Sequence, residues 1–432
     1  MKYADTCFKE YGDKVKTWVT INEPWSFTHH GYSSGMHAPG RCTDRSSCAE
    51  GDSFIEPYLV AHNTILAHAH AVSLYRRKYK LEQGGVIGMT LNIDWMDPLD
   101  PESDEDKAVA ERYEEFEVGW FADPLYFGDY PPSMRDRVGS RLPSFTDEER
   151  ELVMGSNDFF GFNHYTSWYV TDIPDMDPPR PGTSPAKAIA AGIELPVTPV
   201  GDGWMQDIDL IQTKFDLDGK MNGMETYSDW LTGVPPGFRS ALTWVSDRYG
   251  RPPILITENG MDRKGEWAMS IEDAVHDGDR IKFYEEYLAE MVSAIIEDGV
   301  DVRGYYAWSL LDNFEWSDGY HPRFGLTYID YDNGLDRTPK DSSKWFARLS
   351  EARKKSVEFP VANDLEYDEA SSHHVSERSS RPMGRARSFE MVFRSAGGVF
   401  LALLLTGLAG FKVGGGNFRV WRGGGERHYE GV

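Results

Sequence analysis

The chain has 432 residues, of which 40% are hydrophobic and 13% aromatic, a composition typical of a globular protein rather than a disordered one. Its 45 basic and 70 acidic residues give a net charge of -25. A surface this acidic repels phosphate backbones, so we expect no nucleic acid among its partners.

Three cysteines, Cys7, Cys42 and Cys48, are too few for a disulfide framework. Cys42 and Cys48 could bridge within their loop, but we expect reduced thiols. No secretory signal pattern precedes the first helix pattern, so we expect a cytoplasmic product.

Short apolar runs alternate with longer helical patterns between residues 15 and 349, and this alternation predicts a parallel sheet with helices on its faces. A Thr-Asp-Glu-Glu run at 146–149 predicts a capping box that opens a short helix ending at 154. In chain order, the other predictions are helix 5–11, strand 15–22, helix 56–79, strand 86–94, helix 106–121, strand 159–170, helix 238–249, strand 254–258, helix 279–298 and strand 302–311.

Five strand–helix units are visible, whereas a closed (β/α)8 barrel needs eight. The Pro-, Gly- and Asp-rich stretch 171–230 is predicted to be a long insertion of the kind that builds the mouth of a barrel. We divide the chain into a domain at 1–355 and a low-complexity tail at 356–432. The tail has an apolar run at 395–411 that is short and glycine-rich for a membrane span; we favour a non-native tail and keep a membrane anchor as the alternative.

The first candidate catalytic acid, Glu23, follows a predicted strand. Pro24 cannot continue a sheet ladder, so Glu23 is expected at the C-terminal tip of the strand, where catalytic groups of barrels project. The neighbouring Asn22 offers an amide that can bond a sugar hydroxyl. An acid that caps the following helix is an alternative for this run taken alone.

The second candidate acid, Glu258, ends the apolar run 254–257. Asn259 and Gly260 follow it and suit a tight turn with positive φ. In isolation this run is better explained by a solvated acid that opens a turn. Two carboxyl groups on one rim are nevertheless the minimum equipment for glycoside hydrolysis, in which one group is protonated and the other ionised.

Two further runs carry aromatic and amide groups. Trp308, Glu315 and Trp316 follow the last predicted strand; an indole face can stack on a pyranose, and a carboxylate can grip its hydroxyls. A buried aromatic corner is an equal alternative. The third predicted strand carries Asn163 and Tyr165, and its phenol can hold a nucleophilic carboxylate in place.

These four runs, in this order and spacing, resemble glycoside hydrolase family 1, and the surrounding segments 31–40 and 56–63 resemble its fungal β-glucosidases. The resemblance covers about residues 3–353. It implies an α/β fold, a (β/α)8 TIM barrel that lacks its first three strand–helix units, so that 1–355 is a partial catalytic domain with strands four to eight. It also implies a small β-glucoside or oligosaccharide as substrate, and no metal or organic cofactor.

By position, the resemblance implies a retaining enzyme with Glu23 as the acid/base and Glu258 as the nucleophile. The remaining residues implied by the resemblance are Asn22 on the sugar 2-hydroxyl, Asn163 and Tyr165 beside the nucleophile, Trp308 under the glycone, Glu315 and Trp316 on its outer hydroxyls, and Trp25 and Phe324 at the entrance.

The same resemblance narrows the substrate. Family members that act on 6-phosphorylated sugars lack the Glu315–Trp316 pair, and thioglucosidases have glutamine in place of Glu23, so unphosphorylated O-β-glycosides are implied. The missing units normally supply glycone contacts, and we therefore expect the chain itself to hydrolyse weakly or not at all. An inactive sugar-binding remnant and a tail-anchored membrane protein are the alternatives.

Overall fold

The computed structural model of the chain describes residues 1–173, 184–190, 192 and 202–356. The chain divides into two compact units, Met1–Lys344 and Trp345–Val432, and the site predicted from the sequence belongs to the first. The strands are β1 (Thr17–Asn22), β2 (Val86–Asn92), β3 (Trp95–Pro98), β4 (Phe160–Asn163), β5 (Ser167–Thr171), β6 (Ile211–Thr213), β7 (Met224–Glu225), β8 (Thr232–Gly233), β9 (Ile254–Glu258), β10 (Val302–Tyr305), β11 (Thr327–Asp330) and β12 (Asp336–Pro339). The helices are α1 (Lys2–Tyr11), α2 (Pro24–Tyr32), α3 (Glu56–Lys78), α4 (Lys80–Gln83), α5 (Asp104–Glu114), α6 (Trp120–Phe127), α7 (Pro132–Val138), α8 (Asp147–Val153), α9 (Ser184–Ala190), α10 (Gly203–Ile208), α11 (Pro235–Arg248), α12 (Ile271–Ala274), α13 (Gly278–Ser293) and α14 (Asp341–Ser356).

Five parallel strands form the sheet that positions the site, in the order β1-β2-β4-β9-β10. Its register places Asn92 opposite Asn163, and Asn163 opposite Glu258. The carboxyl ends of neighbouring strands therefore meet at one rim and present polar side chains there. The predicted parallel α/β arrangement is confirmed.

The middle strands are buried on both faces, as expected for a parallel sheet covered by helices. Helix α3 packs on β1 and β2, and its buried residues recur every three or four positions, including Tyr58, Ile65, Val72 and Tyr75. In β4, Gly161 allows a close approach, because a Cβ there would lie 2.2 Å from the Thr90 hydroxyl oxygen.

Two strand predictions were too long. The predicted strand 159–170 is two strands, because β4 ends at Asn163 and β5 joins a separate sheet with β3 and β6. The predicted strand 302–311 ends at Tyr305. Beyond it, the backbone of Ser309 pairs with Phe324 and Leu326, which diverts the chain into a loop.

Helix predictions were correct in position but missed irregular turns. The predicted helix 106–121 is α5, a π-helical turn at Glu115–Gly119, and then α6. A second π-helical turn, Ala294–Asp298, extends α13. The capping box is confirmed: Glu149 N–H donates to the Thr146 hydroxyl oxygen, and Thr146 N–H donates to the Glu149 carboxylate.

The expectation of reduced thiols was wrong for one pair, because Cys42 and Cys48 form a disulfide and Cys7 is free. The intervening loop folds back on itself: Cys48 N–H donates to the Asp44 carbonyl, and the Asp44 side chain accepts from Ser46 N–H. This turn brings the two Cα atoms to 5.5 Å, a separation that suits a disulfide.

Parts of two predicted segments lie outside the described residues. The insertion at 171–230 is described except for 174–183, 191 and 193–201, and the tail from 357 onward, with its apolar run at 395–411, is outside the description. Within the described ranges, no helix combines the length and apolar character needed to cross a membrane.

Candidate active site

Glu23 lies immediately beyond β1, at the turn into α2. Its backbone is left-handed, with φ 46 and ψ 62, and Pro24 starts the helix. Its N–H donates to the Thr90 carbonyl at 2.9 Å, which ties the turn to β2. The side chain makes no helix-capping hydrogen bond, so the alternative of a capping acid is wrong. Instead, its Oε2 accepts from the Ser26 hydroxyl at 2.9 Å.

Asn163 is fully buried and links the residues at the rim. Its Nδ2 donates to Glu23 Oε1 at 2.8 Å and to Asn22 Oδ1 at 3.1 Å. Its Oδ1 accepts from the Thr257 hydroxyl at 2.5 Å, and this contact fixes which end of the amide faces Glu23. Asn163 is also the register partner of Glu258, and a hydrogen bond from its side chain lowers the pKa of Glu258, so both candidate acids share this one amide.

Glu258 ends β9 and is partly buried. The Tyr165 hydroxyl donates to its Oε2 at 2.6 Å. The Tyr165 ring is held edge-on by Trp230 and Phe324, with centroids 5.7 and 6.0 Å away. This geometry agrees with the predicted role of the Tyr165 phenol as a support for the Glu258 carboxylate. It does not agree with the alternative, in which Glu258 is a solvated acid that opens a turn.

The turn after Glu258 differs from the expectation in one respect. Gly260 does not adopt a positive φ. It is needed because a Cβ at this position would lie 1.9 Å from the Trp308 carbonyl oxygen. Trp308 N–H also donates to the Asn259 carbonyl at 2.8 Å. The glycine thus lets the Trp308 segment pack directly on the turn that follows the candidate nucleophile.

Burial governs the charge state of the acids at the rim. It raises the pKa of Glu23, although hydrogen bonds from Asn163 and Ser26 lower it. Burial, and then the negative charge of Glu23, raise the pKa of Glu258 to about 7, against hydrogen bonds from Tyr165, Asn163 and Asn22. The two acids repel each other and share one amide, so they lie in one small region. Because of this repulsion, the pair is more stable with one proton bound than with two negative charges.

The loop that follows β10 carries two further predicted site residues, Glu315 and Trp316. Burial raises the pKa of Glu315 to about 7, against a hydrogen bond from Trp308 that lowers it. Its Oε1 is buried and has no hydrogen-bond partner among the described residues. Trp316 is 71% exposed and stacks on the His37 ring at 5.8 Å. Trp25 stacks on His29 at 4.7 Å and contacts the edge of the His30 ring, which in turn lies against His37.

Sequence reasoning missed three contributors at the rim: Ser26, Thr257 and Asp94. Asp94 is partly buried, and burial, followed by the charge of Glu23, raises its pKa to about 7. Its signal was present, because it ends a predicted strand just as the two candidate acids do. The hydroxyls of Ser26 and Thr257 carried no signal, since such residues occur throughout the chain. Across the described ranges, no group of three or more potential metal ligands is arranged to hold an ion.

A pair of carboxyl groups lies at the strand tips of a parallel α/β sheet, an arrangement that two-carboxylate glycosidases also have. The family described as "Glycosyl hydrolase family 1" matches residues 1–355, and the chain belongs to this family.

Its relatives include Beta-glucosidase 6 of Oryza sativa subsp. japonica, 46% identical over 349 residues, which are 80% of this chain and 63% of that protein. Beta-glucosidase 40 of Arabidopsis thaliana is 44% identical over 351 residues, 80% of this chain and 64% of the relative. The chain therefore spans somewhat less than two thirds of the length of these curated relatives.

Solved structures show the same likeness. A rice beta-glucosidase matches with a TM-score of 0.72 and 44% identity, over 80% of this chain and 68% of that one. A GH1 beta-glucosidase from the fungus Humicola insolens, in complex with glucose, matches with a TM-score of 0.72 and 45% identity, over 81% and 68% of the two chains. The predicted fold class is confirmed: the central sheet is a five-stranded arc of the (β/α)8 barrel.

We predict that Glu258→Gln stabilises the chain above pH 7 and not below pH 4. A carboxyl whose pKa is higher in the folded than in the unfolded chain costs stability as it ionises, so the cost appears between about pH 4.3 and about pH 7. Glutamine cannot ionise and avoids this cost, so the free energy of unfolding at pH 8 should rise by about 1–3 kcal/mol. Urea unfolding at pH 4 and pH 8 measures the effect. An equal change at both pH values would show that the charge of Glu258 is not buried as described.

Proposed function

We propose that this chain carries the catalytic site of a retaining β-glucosidase, which hydrolyses terminal non-reducing β-D-glucosyl residues of β-glucosides such as cello-oligosaccharides. The observation that carries the proposal is the Asn163 amide between Glu23 and Glu258. Family membership and the beta-glucosidase names of the relatives support the reaction class. The glucose complex of the fungal relative supports the glycone.

In the first step, ionised Glu258 attacks the anomeric carbon while protonated Glu23 donates its proton to the leaving glycosidic oxygen. The Tyr165 phenol supports this division of roles, since its hydrogen bond favours the charged form of Glu258. In the free pair either acid can hold the shared proton, and in this step it resides on Glu23. The product of this step is a covalent glycosyl-enzyme ester and a free aglycone alcohol.

In the second step, ionised Glu23 removes a proton from water, and the water oxygen displaces Glu258 from the anomeric carbon. While the ester exists, Glu258 bears no negative charge, so nothing on that side repels the charge of Glu23. Once glucose forms, the regenerated carboxylate of Glu258 again favours protonation of Glu23. The proton that Glu23 took from water therefore stays on Glu23 for the next turnover.

The loop after β10 supports the choice of an unphosphorylated glucoside. Glu315 has a buried oxygen with no partner, which can accept a hydrogen bond from an outer hydroxyl of the glycone, and its charge would repel a sugar phosphate. Trp308 provides the stacking face, Trp316 a second contact to the outer hydroxyls, and Asn22 the contact to the 2-hydroxyl. Trp25 and Phe324 are assigned to the walls of the entrance.

A sugar-binding remnant without turnover is the second candidate. The resemblance implies that the barrel's first three units supply glycone contacts, and no residue of this chain matches them. Burial raises the pKa of both acids, and the charge of Glu23 raises that of Glu258 further. Acids of this kind serve proton transfer rather than binding, which favours the enzyme.

We predict that the chain alone hydrolyses an aryl β-glucoside at least about a hundredfold more slowly than a chimaera in which the N-terminal segment of the fungal relative precedes Met1. The reason is the loss of glycone contacts, each of which is worth about 1–3 kcal/mol when buried. Comparing kcat/KM for the two proteins tests this. Equal rates would show that the described residues suffice.

In that chimaera, we predict that Glu258→Ala abolishes hydrolysis and that added azide restores cleavage with an α-glucosyl azide product, because azide enters the space of the lost nucleophile. Glu23→Ala should instead retain cleavage of aryl glucosides with good leaving groups and give a β-glucosyl azide. Glu272→Gln, an exposed acid, is the matched control. Normal turnover by Glu258→Ala would remove Glu258 from the role of nucleophile.

A further inference from the structure

Six ionisable side chains lie buried behind the loop that carries Glu315, each at most 7% exposed. Their contacts alternate in charge: Arg280 donates to both Asp277 and Glu266, Lys340 pairs with both Glu266 and Asp312, and Arg323 donates to Asp312. The measured contacts are Arg280 Nη1 to Asp277 Oδ2 at 2.6 Å, Arg280 Nη2 to Glu266 Oε2 at 2.8 Å, Lys340 Nζ to Asp312 Oδ1 at 3.0 Å and Arg323 Nη1 to Asp312 Oδ2 at 2.7 Å. We refer to these six residues as the buried ion-pair chain.

One end of the buried ion-pair chain reaches the turn after the candidate nucleophile. The Arg280 guanidinium donates to the backbone carbonyl of Met261, three residues beyond Glu258, at 3.4 Å. The same guanidinium donates to the carbonyl of Arg323 at 2.7 Å. We call residues 309–326, which include Glu315, the glycone loop. Arg280 therefore connects the turn after Glu258 to Arg323 in this loop.

The other end grips the glycone loop itself. Asp312, three residues before Glu315, accepts from the backbone N–H groups of Gly325 at 2.9 Å and Ile329 at 3.2 Å. A Cβ at Gly325 would lie 2.1 Å from the Asp312 nitrogen, so the backbone at Gly325 packs directly against the backbone at Asp312. The carboxylate of Asp312 has no freedom to move without breaking ion pairs and backbone hydrogen bonds together.

Stability alone is a poor explanation for such an arrangement. Burying three cations and three carboxylates costs desolvation energy, and apolar side chains of similar volume generally give equal or greater stability. Apolar packing, however, tolerates small shifts between segments, whereas fixed donors and acceptors do not. This desolvation cost is explained if the distance between the turn after Glu258 and the loop that carries Glu315 must stay fixed.

We infer that the buried ion-pair chain is a positioning device that holds Glu315 and Trp316 at a fixed place relative to Glu258, and so sets the affinity for the outer hydroxyls of the glycone. The inference rests on the proposed function, which it deepens. None of the six side chains touches the sugar in this account; they act through the two loops.

The test cuts the buried ion-pair chain without leaving a bare charge. Glu266→Gln combined with Lys340→Met removes one charge of each sign and leaves two neutral pairs, Arg280 with Asp277 and Arg323 with Asp312. The matched control makes the same two changes in the exposed ion pair of Glu225 and Lys264. Either single variant, which strands one buried charge, serves only to confirm that the pair is buried.

The readout is hydrogen–deuterium exchange of the full chain, with the hydrolysis of an aryl β-glucoside measured alongside in the chimaera that carries the same substitutions. We expect exchange of residues 309–326 to rise at least tenfold in the double variant while β2, β4 and the thermal unfolding midpoint change little, and KM to rise more than kcat falls. Uniform loosening of the whole unit, or an unchanged loop, overturns the inference. A loosened loop in a chimaera that neither binds nor cleaves β-glucosides supports the positioning role and overturns the proposed function.

Discussion

The burial of two acids against a single amide is the constraint on which this site depends. Asn163 is placed at the middle of the sheet, so it has a strand on either side, and the Thr257 hydroxyl settles the orientation of its amide. Glu23 and Glu258 consequently share one partner and repel one another. This shared environment, rather than the identity of either acid, allows the pair to gain and lose a proton near neutral pH.

Buried acids are handled in two ways in neighbouring parts of the molecule. At the rim, no lysine or arginine in the described part of the chain pairs with Glu23, Glu258 or Glu315, and burial raises the pKa of each. Behind the rim, carboxylates such as Asp312 and Glu266 are neutralised by arginine and lysine. The first arrangement keeps protons and hydrogen-bonding capacity available for a substrate, and the second fixes the chain in space. The division follows what a glycosidase needs, since chemistry requires titration and positioning requires rigidity.

Much of the fold and the site could be predicted from the sequence, because the decisive signals are local. An apolar run ended by Glu23-Pro24, or by Glu258 and Asn-Gly, marks a strand tip without knowledge of the rest of the chain. The errors arose where distant residues decide the local structure: Ser309 pairs with Phe324 instead of continuing a strand, and Gly260 is required by a carbonyl about fifty residues away rather than by its own turn. The disulfide likewise depends on how one loop folds, which composition does not reveal.

The most direct measurement is the pKa of Glu258, followed by carbon-13 NMR of its side-chain carboxyl in the wild-type chain and in Glu23→Gln. If the two acids share one buried environment, the pKa is close to 7 in the wild type and falls when the charge of Glu23 is removed. An unchanged pKa in Glu23→Gln would place the two carboxyl groups in separate surroundings and contradict the account.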